Sequence, residues 1–284
     1  MKLGVIGLGA MGWGMAMNLH RANLLESVWN RTRNRAEAFE QETGVVAATD
    51  PATLAGRCQV VLICVSEDAD LFEVLEKLLP GLGRQSIVID SSTVDSETAR
   101  VCAERVASVG AAFLDAPVTG GVEGANKGTL SMMVGGDKGV LELVTPALKS
   151  MTSEIVHMGP NGSGQQAKAV NQVMVAGINQ AVTQALALGQ ALELPMGPLV
   201  NAMRGGAAGN WFLDNRGAGM LAGRFPAGFK VAHHLKDLRI CERLCQESGI
   251  EDEVIAPTIE SYEQLIKQGH GEEDISALFR LKQK

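Results

Sequence analysis

Residues 3–21 of the chain read LGVIGLGAMGWGMAMNLHR. The apolar run LGVIGL is typical of a buried strand, and Gly7, Gly9 and Gly12 form the pattern GxGxxG around its end. The first glycine permits a tight turn, the second lets a ligand approach the backbone, and the third lets a helix pack closely on the strand. The stretch therefore predicts a strand, a tight turn and then a helix over roughly Met11–Arg21.

The same alternation of short apolar runs and helical patterns continues through the first half of the chain. The later strand-like runs are SVWN, QVVLICV, SIVID, AFLDAPV and LSMMV. Val60–Val65 and Ile87–Ile89 are nearly continuous in β-forming residues, as expected for parallel strands buried on both faces. This half of the chain predicts a doubly wound Rossmann domain over residues 1–160.

From about residue 160 onward the alternation stops and helical patterns follow one another. The glycine-rich stretch Gly159–Gly164 is the predicted boundary, and residues 161–284 are expected to form an all-helical substrate and oligomerisation domain. Gly and Pro signals separate the predicted helices near residues 195–198, 205–209, 217–228 and 269–271. The predicted fold class is therefore α/β, with a Rossmann domain followed by an all-α domain.

The first helix of the second domain is long and carries no charge between Ala169 and Leu192. Its amide and hydroxyl side chains are costly in lipid, so we predict a helix buried within protein that links the two domains, rather than a membrane span. Small residues recur every four positions and share one face, which predicts close approach of another helix: Gly177, Ala181, Ala185 and Gly189. We expect self-association through the helical region, as a dimer or tetramer.

The composition is that of a globular protein without a general affinity for polyanions. The 284 residues carry a formal net charge of -7, with 46% hydrophobic and 20% charged residues. Nucleic acids and anionic membranes are bound through basic faces, so neither is an expected partner. The five cysteines lack the spacing of a disulfide scaffold, and the N-terminus has no pattern of an export signal. We expect a cytoplasmic protein.

A GxGxxG run at the start of a β–α–β unit predicts a dinucleotide-binding site. The N–H groups of the helix that follows it point toward a pyrophosphate, and the glycines leave room for that group. The alternative interpretation is a tight strand-to-helix turn without a ligand. The predicted cofactor contacts are Gly7, Leu8, Gly9, Ala10, Met11 and Gly12.

The end of the second strand distinguishes between the two nicotinamide dinucleotides. An Asp or Glu there would bind the ribose 2′-hydroxyl of NAD, but this strand ends in WNRT. Arg31, with Arg33 or Arg35 nearby, can place a guanidinium against a 2′-phosphate, and Asn30 and Thr32 add neutral hydrogen bonds. NADP(H) is therefore expected in preference to NAD(H). The alternative is that these arginines form a solvated helix start.

Four stretches that together span almost the whole chain carry a family resemblance. They are GLGAMGWGMAMNL near the N-terminus, DAPVTGGVEGANKGTLSMMVGG at 115–136, GSGQQAKAVNQ at 162–172 and HLKDL at 234–238. The chain resembles the 3-hydroxyacid dehydrogenase family, which includes 3-hydroxyisobutyrate dehydrogenases, tartronate semialdehyde reductases and glyoxylate/succinic semialdehyde reductases. The resemblance, strongest to the last two groups, implies an NADP-dependent reductase of small aldehyde acids.

The resemblance implies the catalytic residue and one of its neighbours. Lys168 matches the catalytic lysine of the family, a proton donor in reduction and a base in oxidation. An ordinary solvated lysine is the alternative. Asn171 matches a position that orients the substrate or the lysine, and Gln172 stands where some members have a second Asn. Which of these two amides takes the role is left open.

The resemblance also implies a loop that holds the substrate carboxylate. Thr119 stands where the family usually has Ser, and it keeps the hydroxyl group. With the backbone N–H groups of Gly120 and Gly121 it would cradle the carboxylate. The alternative is a simple glycine-rich turn.

Further residues match positions near the cofactor and substrate. Thr93 matches a position near the nicotinamide ribose, and Val65 and Ser66 are interpreted as the end of the fourth strand on the same carboxyl edge. In HLKDL, Lys236 is expected near the cofactor and Asp237 near the substrate. A surface Lys–Asp pair is the alternative.

Several other classes compete with this interpretation. His233, His234, Cys241 and Cys245 fit no closed zinc pattern, so no metal is expected. The related 6-phosphogluconate dehydrogenases have a longer helical region, and imine reductases typically replace the lysine. A non-catalytic NADP(H)-sensing module is the alternative from another class. Glyoxylate, succinic semialdehyde and tartronate semialdehyde are the expected substrates, ahead of 3-hydroxyisobutyrate.

Overall fold

A computed structural model describes residues 1–283 of the chain. The described chain divides into two compact units, one of residues Met1–Lys168 and one that begins at Ala169. The division lies within a helix, whereas the domain boundary predicted from the sequence is near residue 160, and that boundary stays a prediction. Hydrophobic clusters form separately in each unit.

The first unit is built on one mostly parallel sheet. Its strands within residues 1–283 are β1 (Leu3–Ile6), β2 (Leu25–Trp29), β3 (Val46–Ala47), β4 (Val60–Ile63), β5 (Ile87–Asp90), β6 (Ala112–Asp115), β7 (Val118–Thr119), β8 (Leu130–Gly135) and β9 (Thr152–Gly159). They lie in the order β3-β2-β1-β4-β5-β6-β8-β7, and β9 pairs with β8. The first six strands are parallel to one another, while β8 runs antiparallel to β6 and β7. The strand order reverses between β1 and β4, and ligands of such sheets bind outside the carboxyl ends at that point.

Helices cover both faces of this sheet. They are α1 (Ala10–Arg21), α2 (Arg33–Thr43), α3 (Pro51–Ala55), α4 (Asp68–Leu78), α5 (Ser96–Ser108), α6 (Gly121–Lys127) and α7 (Lys138–Leu148), with a 3₁₀ helix at Leu79–Gly81. Successive strand residues point to opposite faces, so Val5 lies in one cluster with Met15, while Ile6 lies in the other with Leu71. The doubly wound architecture predicted from the sequence is confirmed.

The strands differ from the sequence prediction in three places and at one end. All the predicted apolar runs contain strands, but β3 and β9 were missed, and the run AFLDAPV, predicted as one strand, is divided between β6 and β7. β3 and β7 have two residues each, and the residues of β9 beyond Thr152 are exposed or only partly buried, which weakens their apolar signal. β4 ends at Ile63. The placement of Val65 and Ser66 at the end of that strand was therefore wrong, because both follow it in a loop.

The second unit is helical, as predicted. The 29-residue helix α8 (Ser163–Ala191) begins in the first unit, and α9 (Met196–Arg204), α10 (Trp211–Leu221), α11 (Val231–Ser248), α12 (Ile255–Lys267) and a 3₁₀ helix (Ile275–Leu281) follow it. The break between α11 and α12 was not predicted; Gly249, with φ +67°, ends α11 there. The break predicted from Gly217 begins only after Leu221, so Gly217 is helical.

A buried polar cluster lies inside the helical unit. Asn179 Nδ2 donates to the Tyr262 hydroxyl at 2.9 Å and to the carbonyl oxygen of Ile275 at 2.8 Å. His234 Nδ1 lies 3.0 Å from the same hydroxyl. Burial raises the pKa of Tyr262, so the hydroxyl keeps its proton and can donate it to the ring nitrogen. The cluster joins α8, α11 and α12 by directional bonds within an apolar core.

An apolar stripe runs along the exposed side of α8. Val170, Met174, Leu188 and Leu192 are 71%, 65%, 55% and 61% exposed, and Ala181 lies between them on the same face. The predicted close packing of the small residues holds only at Gly189, where an added Cβ would meet a side-chain carbon of Leu199 at 2.9 Å.

The other small residues on this face do not pack closely within the chain. Ala181 and Ala185 are exposed, and an added Cβ at Gly177 would make only ordinary contact, 3.6 Å from Val254. The close packing predicted for these three positions is therefore not made within residues 1–283. Nor does any helix in that range combine the length and apolarity that a bilayer span requires.

Candidate active site

The glycine loop between β1 and α1 tolerates no side chain at two positions. Gly7 has φ +92°, and an added Cβ would lie 2.1 Å from the carbonyl oxygen of Cys64. At Gly12 an added Cβ would lie 1.9 Å from the carbonyl oxygen of Gly7. The turn and the close packing of helix on strand thus require glycine at both positions.

Gly9 differs from these two because a Cβ there would meet nothing within 4 Å. It is exposed, as is Ala10, and it precedes α1 without any side-chain hydrogen bond capping the helix. The open space lies where the first N–H groups of α1 point outward, which is the arrangement that receives a phosphate. The residues present therefore fit the pyrophosphate of a dinucleotide.

Asn30 holds the glycine loop in place. The N–H of Leu8 donates to Asn30 Oδ1 at 2.9 Å, and Asn30 Nδ2 donates to the carbonyl oxygen of Thr32 at 2.9 Å. The amide is therefore engaged at both ends within the chain. Its predicted contact with the cofactor stays a prediction, as does that of Thr32, the exposed residue that precedes α2.

The predicted phosphate-binding arginine is paired with acidic residues of α4. Arg31 is 68% exposed in its side chain, is ion-paired with Asp70, and lies 4.0 Å from a carboxylate oxygen of Glu73. Arg33 pairs instead with Glu37 of its own helix at 2.7 Å. The guanidinium of Arg31 thus stands at the tip of β2 beside two carboxylates, and a 2′-phosphate would compete with them.

The loops after β4 and β5 are tied together at the carboxyl edge of the sheet. The N–H of Val65 donates to Ser92 Oγ at 2.9 Å. Gln165 of α8 donates to the carbonyl oxygen of Ser92 at 2.9 Å and accepts from the N–H of Val94 at 3.2 Å. Thr93, which is partly buried, stands between these two anchored residues. Ser66 is exposed in the first of the two loops.

The predicted substrate loop has the backbone that its glycines were expected to provide. Gly120 and Gly121 have φ values of +125° and +65°, so residues with side chains would be strained there. Thr119 is the last residue of β7, is partly buried, and pairs with Ser131 of β8. The Thr119 hydroxyl is therefore followed in sequence by two glycines whose positive φ values set the direction of their peptide groups.

One buried carboxylate anchors the start of α8, the helix that carries Lys168. Asp115, at the end of β6, accepts from the N–H of Gly162 at 2.8 Å and from that of Gln165 at 3.1 Å. Burial raises the pKa of Asp115, and these two N–H groups oppose the shift. Lys168 lies one turn further along and is only 7% exposed. The predicted alternative of a solvated lysine does not hold in this structure.

The predicted residues of the second unit form a hydrogen-bonded group. Asn171 Nδ2 donates to Gln172 Oε1 at 2.8 Å, and Gln172 Nε2 donates to Asp237 Oδ2 at 2.6 Å. Lys236 Nζ lies 3.0 Å from Asp237 Oδ1. Asp237 is 4% exposed, so this is a largely buried group and not a surface Lys–Asp pair. Both ends of the Gln172 amide are thus engaged, and Asn171 uses its amide nitrogen in this group.

The cysteines and histidines form no metal-binding group. Among residues 1–283, no three His, Cys, Asp or Glu side chains are grouped so that they could hold a metal ion. Burial raises the pKa of Cys58, Cys64 and Cys102 to about 12 each, which keeps these thiols neutral. Neutral buried thiols are weak nucleophiles, so these three are structural residues.

Sequence reasoning missed three residues that hold the site together: Asp115, Gln165 and Ser92. Asp115 and Gln165 belong to stretches that carried the family resemblance, but their partners are about 50 to 70 residues away in sequence. Periodicity reports only on residues that are close in sequence. The available signal was the position of Asp115 at the end of a buried strand, where a carboxylate needs partners.

Two family models together cover nearly the entire chain. The NAD-binding domain of 6-phosphogluconate dehydrogenase matches residues 2–159, and the NAD-binding model of NADP-dependent 3-hydroxyisobutyrate dehydrogenase matches residues 162–282. The NAD-dependent L-serine dehydrogenase of Pseudomonas aeruginosa is 33% identical, over 99% of this chain and 97% of its own. The 2-hydroxy-3-oxopropionate reductase of Escherichia coli is 32% identical, over 98% and 96% of the two chains.

Solved structures extend the comparison to the fold. The structure of Mycobacterium tuberculosis 3-hydroxyisobutyrate dehydrogenase with L-serine is 27% identical and has a TM-score of 0.87. The match covers 99% of this chain and 98% of the other. The likeness therefore includes both the Rossmann and the helical parts of the chain.

A parallel sheet with a dinucleotide-type glycine loop, followed by a helical unit, defines an oxidoreductase of the nicotinamide-dependent class. The family models that match the two halves of the chain identify the family within this class. The chain belongs to the 3-hydroxyacid dehydrogenase family, and it is an NAD(P)-dependent enzyme acting on the CH–OH group of hydroxy acids.

The anchor of α8 generates a first prediction. Asp115→Asn should lower the free energy of unfolding by about 1–3 kcal/mol, because an amide has one acceptor oxygen where two N–H groups need two. Urea unfolding measures the difference. Asp137→Asn is the matched control: Asp137 caps α7 through the N–H of Val140, and Asn caps helices as well as Asp does. Equal effects of the two substitutions would contradict the assigned role of Asp115.

Proposed function

We propose that the protein is an NADP(H)-dependent reductase of small aldehyde acids, with Lys168 as its general acid and base. The observation that carries this proposal is the burial of Lys168 on a helix whose first turn is anchored by Asp115 and Gln165 at the carboxyl edge of the sheet. The glycine loop that fits a dinucleotide opens from the same edge. A lysine side chain held there can exchange a proton with a bound substrate.

The chemistry divides between the cofactor and the side chains of this chain. When bound, the nicotinamide gives or takes the hydride. In reduction Lys168 donates a proton from Nζ to the substrate oxygen, and in oxidation it removes that proton. The second role requires the neutral amine.

The carboxylate of the substrate would lie on the Thr119 loop. The positive φ values of Gly120 and Gly121 turn successive peptide groups, and such turns make concave sets of N–H donors that bind anions. The Thr119 hydroxyl adds a further donor. We therefore propose glyoxylate, succinic semialdehyde or tartronate semialdehyde as substrates, in line with the reductase activity named for the Escherichia coli relative.

A second candidate reaction is the oxidation of a small 3-hydroxy acid. It is supported by the L-serine dehydrogenase relative and by the 3-hydroxyisobutyrate dehydrogenase structure that contains L-serine. Both candidates use the same proton-transfer group and differ in direction and cofactor. The preference for NADP(H) in our proposal rests on Arg31 and on the sequence WNRT at the end of β2, which has no Asp or Glu of its own.

The alternative to an enzyme is a protein that only senses NADP(H). Such a protein would bind the dinucleotide without turnover, so a steady-state assay distinguishes it from the enzyme. The cytoplasmic location expected from the cysteine usage stays a prediction.

Lys168→Met should lower the rate of turnover strongly while dinucleotide binding is retained. Methionine preserves the length of the side chain but cannot carry a proton, and loss of a general acid typically costs about 10²–10⁴-fold in rate. Absorbance of the reduced nicotinamide, with a panel of aldehyde acids, measures the rate, and fluorescence titration measures binding. Lys149→Met, on the exposed end of α7, is the control. Turnover by the Lys168 variant at the wild-type rate would refute the assignment.

Arg31→Ala should raise KM for NADPH by about tenfold or more and leave KM for NADH nearly unchanged. A guanidinium–phosphate contact is a charge-assisted bond worth about 1.5–3 kcal/mol, and NADH has no 2′-phosphate. The control is Arg33→Ala, since Arg33 pairs with Glu37. A wild-type preference for NADH would contradict the proposed cofactor directly.

We also propose that the exposed stripe on α8 is where the chain self-associates. The stripe from Val170 to Leu192 spans roughly 33 Å at 1.5 Å per residue. It carries large apolar side chains at both ends and small ones between, which lets a second helix approach closely. The partner in this proposal is a second copy of the chain.

Met174→Glu should reduce the molar mass measured by light scattering at micromolar concentration, because a charge would be buried in the interface. Leu143→Glu is the matched control, since Leu143 is an apolar residue of similar exposure, 63% against 65%, on α7. A wild-type protein that is monomeric at high concentration would rule out the proposal.

A further inference from the structure

An ion pair joins the two flanks of the strand that leads into the glycine loop. Arg31 follows β2, and it is ion-paired with Asp70 in the first turn of α4, the helix that follows β4. In the sheet, β1 lies between β2 and β4. The pair therefore stands at the carboxyl edge of the sheet, where a dinucleotide site opens.

The guanidinium of Arg31 is engaged on one side only. Within residues 1–283, its contacts to Asp70 and Glu73 are both made through Nη1, so Nε and Nη2 remain for another acceptor. The side chain is 68% exposed. A 2′-phosphate can therefore reach the guanidinium, but it would then share one cation with the carboxylate of Asp70.

The two acidic residues of α4 differ in how their charges are compensated. Glu73 Oε1 lies 2.6 Å from Lys77 Nζ, and Lys77, with a smaller effect of Arg31, lowers the pKa of Glu73. Asp70 has Arg31 as its only basic partner within residues 1–283. Its side chain is 20% exposed, against 50% for Glu73, so water screens its charge less. Asp70 is thus the negative charge that a phosphate on Arg31 would meet.

Pairing with Asp70 has two opposite effects on a phosphate that approaches Arg31. It restricts the arginine side chain, which reduces the entropy lost on binding. It also occupies one donor and places a carboxylate within about one Debye length, roughly 8 Å, of a group with a charge of about −2. The repulsion is the larger effect, because the arginine is exposed and only one side of its guanidinium is held.

We propose that Asp70 is a specificity-determining residue, which lowers the affinity for NADPH relative to NADH by competing for Arg31. This inference rests on the proposed binding of NADPH through Arg31. NADH has a 2′-hydroxyl in place of the phosphate, so it does not compete with Asp70 for the guanidinium. The carboxylate that is missing from the end of β2 is thus supplied by α4, and it reduces the discrimination that Arg31 alone would provide.

Asp70→Asn tests the proposal in the full-length protein. Asparagine keeps the size of the side chain and removes its charge. The Kd for NADPH, measured by fluorescence titration, should fall about fivefold, as expected when an exposed ion pair and its charge are removed. The Kd for NADH should stay within about twofold of wild type, and this also reports that the fold is intact. An unchanged or higher Kd for NADPH would overturn the inference.

Glu76→Gln is the matched control on the same helix. Glu76 is ion-paired with Arg105 of α5, so this substitution also removes one negative charge and breaks one ion pair between a carboxylate and an arginine. It should leave the Kd values of both dinucleotides unchanged. An equal gain in NADPH affinity for Glu76→Gln and Asp70→Asn would show an effect of net charge alone and would contradict the role of Asp70.

Competition for Arg31 is tested by combining the substitutions. In an Arg31→Ala background, Asp70→Asn should improve NADPH binding by less than it does in wild type, because only direct repulsion of the phosphate is then relieved. The same gain in both backgrounds would overturn the competition.

Salt dependence gives a second measurement of the same competition. The Kd for NADPH should rise more steeply with salt in Asp70→Asn than in wild type, because the charge of Arg31 is then uncompensated. Equal salt dependence would count against the inference alone if wild type binds NADPH and turns over. Failure of NADPH to bind either protein would overturn the proposed cofactor as well.

Discussion

Two backbone N–H groups at the start of α8 point at the two oxygens of one buried carboxylate, and the rest of the site depends on this contact. Asp115 ends a strand, so its position is set by the sheet. Gly162 immediately precedes the helix that carries Lys168, and Gln165 lies in its first turn. The first turn of any helix has unsatisfied donors, and a negative charge there also favours the helix dipole. The same bonds that satisfy these donors fix the helix to the sheet.

The helical unit differs from the first unit because hydrogen-bonded polar side chains lie within its apolar core. Asn179, Tyr262 and His234 bond to one another, and His234 continues to the backbone at Gln172. Each such group is costly to bury alone and less costly when it is hydrogen-bonded, as every polar side chain of this cluster is, although Asn179 Oδ1 has no partner within residues 1–283. The network therefore selects one alignment of α8, α11 and α12, where a purely apolar core would accept several.

Much of this structure could be predicted from the sequence, since the predictable features depend on neighbouring residues. The glycine loop, the buried parallel strands and the helical second half follow from spacing within a few residues. The pairing of Gln172 with Asp237 and of Arg31 with Asp70 could not be predicted, because 65 and 39 residues separate the partners. The end of β4 at Ile63 and the exposure of Ala181 and Ala185 depend on packing that periodicity does not report.

The bond from Leu8 to Asn30 has a consequence for the speed of cofactor exchange. A loop that orders itself only around its ligand loses conformational entropy at each binding event, and this lowers affinity and slows association. Here the side chain at the tip of β2 already holds the loop in its turned form, and Gly9 leaves the space above it open. The entropic cost is met once, during folding, so a dinucleotide can enter and leave a surface that does not need to rearrange.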